Sequence, residues 1–106
     1  MATKKRYQIK LHSLVTATDL SGLPSQLKKD FLQYQQVLSL SPYQTKGIPS
    51  HNLTGDLTGY RALEIDYNNI SYRLVYRIYE KPTPKRVLII SFAEHDPAYE
   101  RAKERK

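Results

Sequence analysis

The sequence predicts an α+β fold: a small antiparallel-rich sheet with two N-terminal helices packed on one face and a short C-terminal helix. Three observations predict this fold. An amphipathic helical pattern precedes residue 41, an asparagine pair separates two alternating segments, and residues 86–92 are almost entirely apolar. The predicted order is β-α-α-β-β-β-α, and 106 residues make one domain that covers residues 1–106.

The N-terminal elements follow from periodicity and from capping residues. Residues 6–12 alternate between polar and apolar side chains, which is typical of a strand. Ser13 is placed to cap a short helix that continues to about Leu20. Pro24 suits the first turn of a longer second helix, which must end before Pro42. One face of that helix is apolar and consists of Leu23, Leu27, Phe31, Tyr34 and Leu38.

The middle of the chain predicts a long loop followed by a β-hairpin. Residues 41–59 are rich in Ser, Thr, Pro and Gly, and a loop of this length in a small domain is usually functional or mobile. Asn68 and Asn69 tolerate the left-handed backbone of a tight turn, and a two-residue turn fixes the register. The alternation then separates an apolar face from a polar face, which is either a solvated surface or a site. The apolar face holds Leu63, Ile65, Tyr72, Leu74 and Tyr76, and the polar face holds Tyr60, Glu64, Asp66, Ser71, Arg73 and Arg77.

The C-terminal part predicts a buried strand and a short helix. Residues 81–85 predict a loop, and the apolar residues 86–92 predict a central strand that is buried on both faces. Pro97 suits the first turn of the last helix, with Asp96 as its cap.

Charge gives the first indication of function. The net charge is +7, and a basic domain of this size usually binds a polyanion, most often nucleic acid and sometimes an acidic protein. Solubility alone also explains such a charge.

The chain has no cysteine, which excludes disulfides and cysteine-rich zinc sites and fits a reducing cytoplasm. The basic N-terminus has no apolar segment behind it, and the longest apolar run, residues 87–93, is too short to span a membrane, so we expect neither a secretory leader nor a membrane segment.

The segments LTGYRALEI, YRLVYRI and HDPAYERA resemble the RelE/ParE superfamily of bacterial toxins from type II toxin–antitoxin systems. The resemblance covers nearly the whole chain, and YRLVYRI is similar to the most recognisable strand of the superfamily. RelE-like members are ribonucleases that cut messenger RNA at the ribosome, and ParE-like members inhibit DNA gyrase. The resemblance implies a cytoplasmic toxin that needs no metal or cofactor and has a cognate antitoxin as its partner. It also implies that the toxin–antitoxin complex binds its own promoter DNA.

The resemblance also implies a set of catalytic residues. His51, Glu64 and His95 stand where the ribonucleases similar to YafQ and HigB place titratable residues. Arg73 matches the arginine that this family uses against the scissile phosphate, and Tyr99 matches an aromatic residue about one helical turn beyond the last histidine.

Metal-free RNA cleavage needs a base for the ribose 2′-hydroxyl, an acid for the departing 5′-oxygen and a cation on the phosphate. We assign the base to Glu64 or His51, the acid to His95 and the phosphate contact to Arg73, with Tyr99 stacking on or orienting a nucleobase. Positive charge would hold messenger RNA and ribosomal RNA, with strong salt dependence. The residues expected to supply it are Arg61, Arg77, Lys4, Lys5, Arg6 and the basic residues of the C-terminus.

The chain departs from the ribonuclease pattern at three points. Glu64 stands where the most similar subgroup often has histidine. The lysine pair of RelE is absent, and Arg61 is the nearest replacement. Glu94 and Asp96 flank His95 with negative charge, which disfavours RNA locally but favours the protonated ring that a general acid needs.

Each assignment has a structural alternative. Glu64 and Arg73 also suit a cross-strand surface ion pair, and His51 suits an exposed loop. His95 also suits a helix cap, and Tyr99 suits packing of the last helix onto the sheet. Two other functions stay open, a ParE-like gyrase inhibitor and a catalytically inactive RNA-binding module.

Overall fold

The computed structural model describes residues 6–106 and contains a five-stranded sheet with helices on both faces. The strands are β1 (Gln8–Leu11), β2 (Ser50–Asn52), β3 (Tyr60–Tyr67), β4 (Ile70–Tyr79) and β5 (Arg86–Glu94). The helices are α1 (Ser25–Leu40) and α2 (His95–Arg105). Shorter helical elements are a π-helical turn at Val15–Asp19 and 3-10 turns at Leu20–Gly22 and Gly55–Leu57.

The strand order of the sheet is β1-β5-β4-β3-β2. β1 runs parallel to β5, and the other three pairs are antiparallel, which confirms the predicted antiparallel-rich α+β fold. The first strand therefore lies beside the last one, at one edge of the sheet. β5 is an inner strand, and the prediction that it is buried on both faces is confirmed by Val87, Ile89, Ile90 and Phe92, none of which exposes more than 1% of its surface.

The hairpin of β3 and β4 has the predicted register. Asn68 and Asn69 both adopt a left-handed backbone, with φ angles of 51° and 64°. Pairing runs from Tyr67 opposite Ile70 to Tyr60 opposite Arg77, without a shift. The hairpin therefore sorts its side chains onto two faces as the sequence predicts.

The apolar face of the hairpin packs against α1. The predicted stripe of α1 is buried there, and Phe92 of β5 contacts the rings of Phe31 and Tyr34 at centroid distances of 5.8 and 5.9 Å. This cluster forms the larger of the two cores and includes Leu63, Ile65, Tyr72, Leu74 and Tyr76.

The opposite face is only partly polar, because α2 covers its middle. Ala98 and Ala102 of α2 are completely buried against a cluster that contains Ala62 and Val75 of the hairpin. Tyr60, which the pattern placed on a polar face, is only 6% exposed and belongs to the same cluster. Small alanine side chains let the helix approach the sheet, and the polar residues of this face are left at its margins.

Three local predictions are wrong in detail. Residues 41–59 are not entirely a loop, because β2 lies within them and pairs with β3. The segment after Ser13 is helical but winds mainly as a π turn and a 3-10 turn. α2 begins at His95, two residues before Pro97, so Asp96 lies inside the helix and Glu94 occupies the cap position without a side-chain hydrogen bond.

No helix in the described part of the chain, residues 6–106, has the length and apolar character that a membrane crossing requires.

Candidate active site

His51, Glu64 and Arg73 form one continuous cluster on the α2 face of the sheet. Antiparallel pairing sets His51 opposite Ala62 and Glu64 opposite Arg73, so side chains from three adjacent strands meet. Glu64 Oε2 lies 3.0 Å from His51 Nδ1, and Glu64 Oε1 lies 3.8 Å from an Arg73 terminal nitrogen. The carboxylate of Glu64 therefore bridges the imidazole and the guanidinium.

Exposure differs across this cluster. The side chains of His51 and Glu64 are 43% and 37% exposed, so a ligand can reach both. Arg73 is only 13% exposed, and one of its terminal nitrogens donates to the backbone oxygen of Tyr72 at 2.9 Å. Among residues 6–106 no acceptor reaches the buried Nε of Arg73. A buried donor without an acceptor is energetically costly, and an anion that enters this cluster would supply one.

His95 forms a second imidazole–carboxylate pair at the start of α2. Its Nδ1 lies 2.7 Å from Asp96 Oδ1, and its ring forms a T-shaped contact with the ring of Tyr99, at a centroid distance of 4.8 Å and an interplanar angle of 86°. The His95 side chain is 47% exposed. Tyr99 packs against the buried cluster beneath α2, as the packing alternative expects, and its stacking on a nucleobase stays a prediction.

The two imidazoles lie on the same side of the sheet without touching. Within residues 6–106, neither a hydrogen bond nor an ion pair links His95 to Glu64 or Arg73. The histidine that is linked to a guanidinium through a shared carboxylate is His51, by way of Glu64. Each imidazole uses Nδ1 toward a carboxylate, which leaves its Nε2 free to exchange a proton with a ligand.

Arg61 does not join this cluster. It lies on the α1 face, where its guanidinium donates to side chains of Ser50 and Asn52 and to the backbone oxygen of Tyr43. These contacts engage the guanidinium on the face away from Glu64 and Arg73, and the role of Arg61 in RNA binding stays a prediction. His12, the third histidine, accepts a hydrogen bond from the backbone nitrogen of Leu14 at 3.1 Å.

The comparisons with known proteins concern the fold. No protein-family model matches the sequence, and no curated protein matches it. The RelBE2 toxin–antitoxin complex from Mycobacterium tuberculosis contains a similar chain, with a TM-score of 0.64 and 21% sequence identity over 90% of this chain and 98% of that one. A YoeB/ParE toxin from Agrobacterium tumefaciens is similar with a TM-score of 0.66 and 17% identity, over 83% of this chain and 98% of that one. The chain shares the fold of these two solved proteins.

A basic and aromatic surface lies at the other end of the polar face. Arg77 is exposed and stacks on the rings of Tyr60 and Tyr79 at 5.4 and 5.1 Å, and Arg86 stacks on Tyr79 at 4.6 Å. Arg77 follows Arg73 by four residues, or about 13 Å along the strand. These stacks hold the guanidinium planes in place and leave N–H groups at the surface. Arg6 is exposed just before β1, and the predicted Lys4 and Lys5 lie outside the described residues.

One buried ionic cluster was not predicted. Asp19, at the end of the π turn, has a completely buried carboxylate that accepts hydrogen bonds from Arg101, Arg105 and the backbone nitrogen of Phe92. Arg105 is only 6% exposed, so it is not one of the solvated C-terminal cations that the sequence suggested for RNA binding. The four-residue spacing of the two arginines on α2 was a signal for a shared contact, but Asp19 is too distant in sequence for the pattern to identify it.

A second unpredicted cluster joins the residue before β1, the loop after α1 and the residue after β4. Glu80 Oε2 accepts hydrogen bonds from the hydroxyls of Tyr7 at 2.6 Å and Tyr43 at 2.7 Å. Lost hydration and then the hydrogen bond to the carboxylate of Glu80 raise the pKa of Tyr43 to about 12. The same two causes raise the pKa of Tyr7, and the two phenols in turn lower the pKa of Glu80.

Proposed function

We propose that this protein is the toxin of a toxin–antitoxin system and a metal-independent endoribonuclease that cleaves messenger RNA at the ribosome. The observation that carries the proposal is the contact of an imidazole, a carboxylate and a guanidinium at His51, Glu64 and Arg73 on an accessible margin of the sheet. A structural ion pair explains Glu64 and Arg73 alone, but it does not require an exposed histidine on the same carboxylate. The RelE/ParE fold and the net charge of +7 support the same function.

The geometry favours His51 over Glu64 as the general base. Because Glu64 accepts from Nδ1 of His51, the neutral ring carries its proton on Nδ1 and presents a lone pair on Nε2. A carboxylate that fixes the tautomer of a histidine in this way is a common device in catalytic and metal sites. In the proposed reaction, Nε2 of His51 removes the proton of the 2′-hydroxyl while the 2′-oxygen attacks phosphorus.

His95 is the proposed general acid. Asp96 holds its Nδ1, so Nε2 is the position from which the ring donates a proton to the departing 5′-oxygen. The bond from phosphorus to the 5′-oxygen breaks in this step, which leaves a 2′,3′-cyclic phosphate and a 5′-hydroxyl. Tyr99 forms a T-shaped contact with the ring of His95 and thereby limits its rotation, and the exposed part of Tyr99 would stack on a nucleobase.

Arg73 is the proposed phosphate ligand. Its free Nε and the terminal nitrogen near Glu64 offer two parallel donors, which suits the oxygens of a phosphate that gains negative charge in the transition state. The ion pair with Glu64, at 3.8 Å, is long enough to loosen when a phosphate arrives.

The wider binding surface follows from charge. Arg77 and Arg6 would contact RNA phosphates beyond the cleavage site, and the antitoxin would cover the basic surface in the inactive complex. We place the protein in the cytoplasm on this proposal, because its substrate is translated messenger RNA. Binding of promoter DNA belongs to the complex with the antitoxin.

Induced expression followed by primer-extension mapping of cellular transcripts tests the function. We expect codon-spaced cuts from the unmodified protein, and a loss of about 10²- to 10⁴-fold in cleavage for His95→Ala and for His51→Ala. Lys29→Ala serves as the charge-changing control, because Lys29 is exposed on α1. Supercoiling defects without RNA cuts would support the ParE-like alternative, and RNA binding without cuts would support the inactive module. Full toxicity of folded His95→Ala would refute the assignment of the acid.

A further inference from the structure

Arg61 makes four hydrogen bonds on the α1 face of the sheet. One terminal nitrogen donates to Asn52 Oδ1 at 2.7 Å, and the other donates to Ser50 Oγ at 3.0 Å and to the backbone oxygen of Tyr43 at 3.1 Å. Its Nε donates to Tyr76 Oη at 3.3 Å, and that buried hydroxyl donates in turn to a backbone oxygen in the loop after α1. The guanidinium therefore ties β2 and the preceding loop to the middle of the sheet.

The side chains that Arg61 holds are the two neighbours of His51 in β2. Ser50 and Asn52 point to the α1 face, and His51 between them points to the α2 face, where it pairs opposite Ala62. β2 is a three-residue edge strand, too short for its ladder alone to specify register firmly. A slip by one residue would turn His51 to the wrong face of the sheet.

We infer that Arg61 is a positioning residue, which fixes the register of β2 and thereby holds His51 against Glu64. The catalytic role of His51 rests on the proposed function, whereas the contact between His51 and Glu64 exists in the structure independently of it. It replaces the expectation that Arg61 binds RNA. The planar guanidinium suits this task because its fixed N–H groups reach four acceptors at once, which a lysine ammonium with three donors cannot match.

The first test of the inference measures the tautomer of His51, which can be observed without any assay of RNA cleavage. Long-range proton–nitrogen NMR correlations at about pH 8, where an ordinary imidazole is neutral, should show the Nδ1–H form of His51 in the unmodified protein. In Arg61→Ala we expect this signature to be lost, while far-ultraviolet circular dichroism and the chemical shifts of α1 stay unchanged. Lys29→Ala, which removes the same charge from an exposed position of α1, should keep the signature.

A double variant separates positioning from RNA contact. Ser50→Ala with Asn52→Ala removes two acceptors of Arg61 but keeps its charge. We expect this variant and Arg61→Ala to lower the single-turnover rate of RNA cleavage alike, by about 100-fold, because a small displacement of a catalytic group has an effect of that size. RNA affinity and its dependence on salt should stay unchanged in both, and Arg61→Lys should recover only part of the rate.

Two results would overturn the inference. One is a His51 signature that persists in both Arg61→Ala and the double variant. The other is a loss of RNA affinity, with a weaker salt dependence, in Arg61→Ala but not in the double variant, which would make Arg61 an RNA ligand. If the unmodified protein does not cleave RNA, the proposed function fails, and the NMR comparison still decides whether Arg61 positions His51.

Discussion

Replacing Asp19 by alanine should destabilise the protein more than any substitution of an exposed acidic residue. The carboxylate is completely buried and accepts four hydrogen bonds at 2.8 to 3.0 Å. Three come from arginine side chains of α2, and one comes from a backbone nitrogen of β5. Its removal leaves the guanidinium of Arg105, which is 6% exposed, without its carboxylate partner, and leaves the backbone nitrogen of Phe92 without an acceptor. Arg101 loses less, because 36% of its side chain is already exposed.

The expected size follows from these exposures. Breaking a buried ion pair by deleting one partner costs about 3–5 kcal/mol, and the freedom of Arg101 to rehydrate places Asp19→Ala near the lower end, at about 3–4 kcal/mol. One kcal/mol shifts the midpoint of thermal unfolding of a domain of this size by about 4 °C, so the midpoint should fall by about 12–16 °C. Urea unfolding monitored by circular dichroism measures the free energy directly, and Asp66→Ala, an exposed aspartate, is the matched control. A loss below about 1 kcal/mol, the value of a surface ion pair, would refute the reasoning.

Two further predictions concern the hairpin and the cluster at Glu80. Asn68 and Asn69 both have a left-handed backbone, which glycine adopts easily and valine does not. Asn69→Gly should therefore keep or raise the unfolding midpoint, and Asn68→Val should lower the free energy of unfolding by about 1–2 kcal/mol. Equal stability of the two variants in urea would contradict this. Glu80→Gln should move the ultraviolet titration of Tyr43 and Tyr7 to lower pH, because the carboxylate helps to raise both pKa values. The pKa of Tyr43 is raised to about 12 in the folded protein, so the protonated phenol contributes to the free energy of unfolding. This contribution is complete below the unfolded pKa near 10.0 and is lost as the pH rises toward 12. Superimposable titrations of Glu80→Gln and the unmodified protein would exclude the coupling to Glu80.

The hairpin was predictable because its information is local. Alternation with a period of two identifies each face, and two residues that accept a left-handed backbone fix the register, so the contact between Glu64 and Arg73 followed from counting. The burial of Tyr60 did not follow, because the pattern cannot say which part of a mixed face a later helix will cover.

β2 and the Asp19 cluster were not predictable for different physical reasons. β2 has only three residues, so no periodicity distinguishes it from the loop around it, and its position depends on side-chain contacts with Arg61. Asp19 binds side chains 82 and 86 residues later in the sequence, and a single aspartate at the end of a short helix looks like an ordinary surface residue. The pairing of His51 with Glu64 therefore had to come from the structure, since it depends on a strand that the sequence does not reveal.

The position of β1 has a consequence for how the molecule is made. Its hydrogen-bonded partner in the sheet is β5, from Gln8 opposite Arg86 to Leu11 opposite Ile89. While the chain is being synthesised, β1 must wait for β5, and the intervening β-hairpin is the first part of the sheet that can form on its own. Closing so long a stretch of chain slows folding relative to domains with neighbouring partners. The sheet is thus completed only after β5 has been synthesised, because β1 has no other partner strand within residues 6–106.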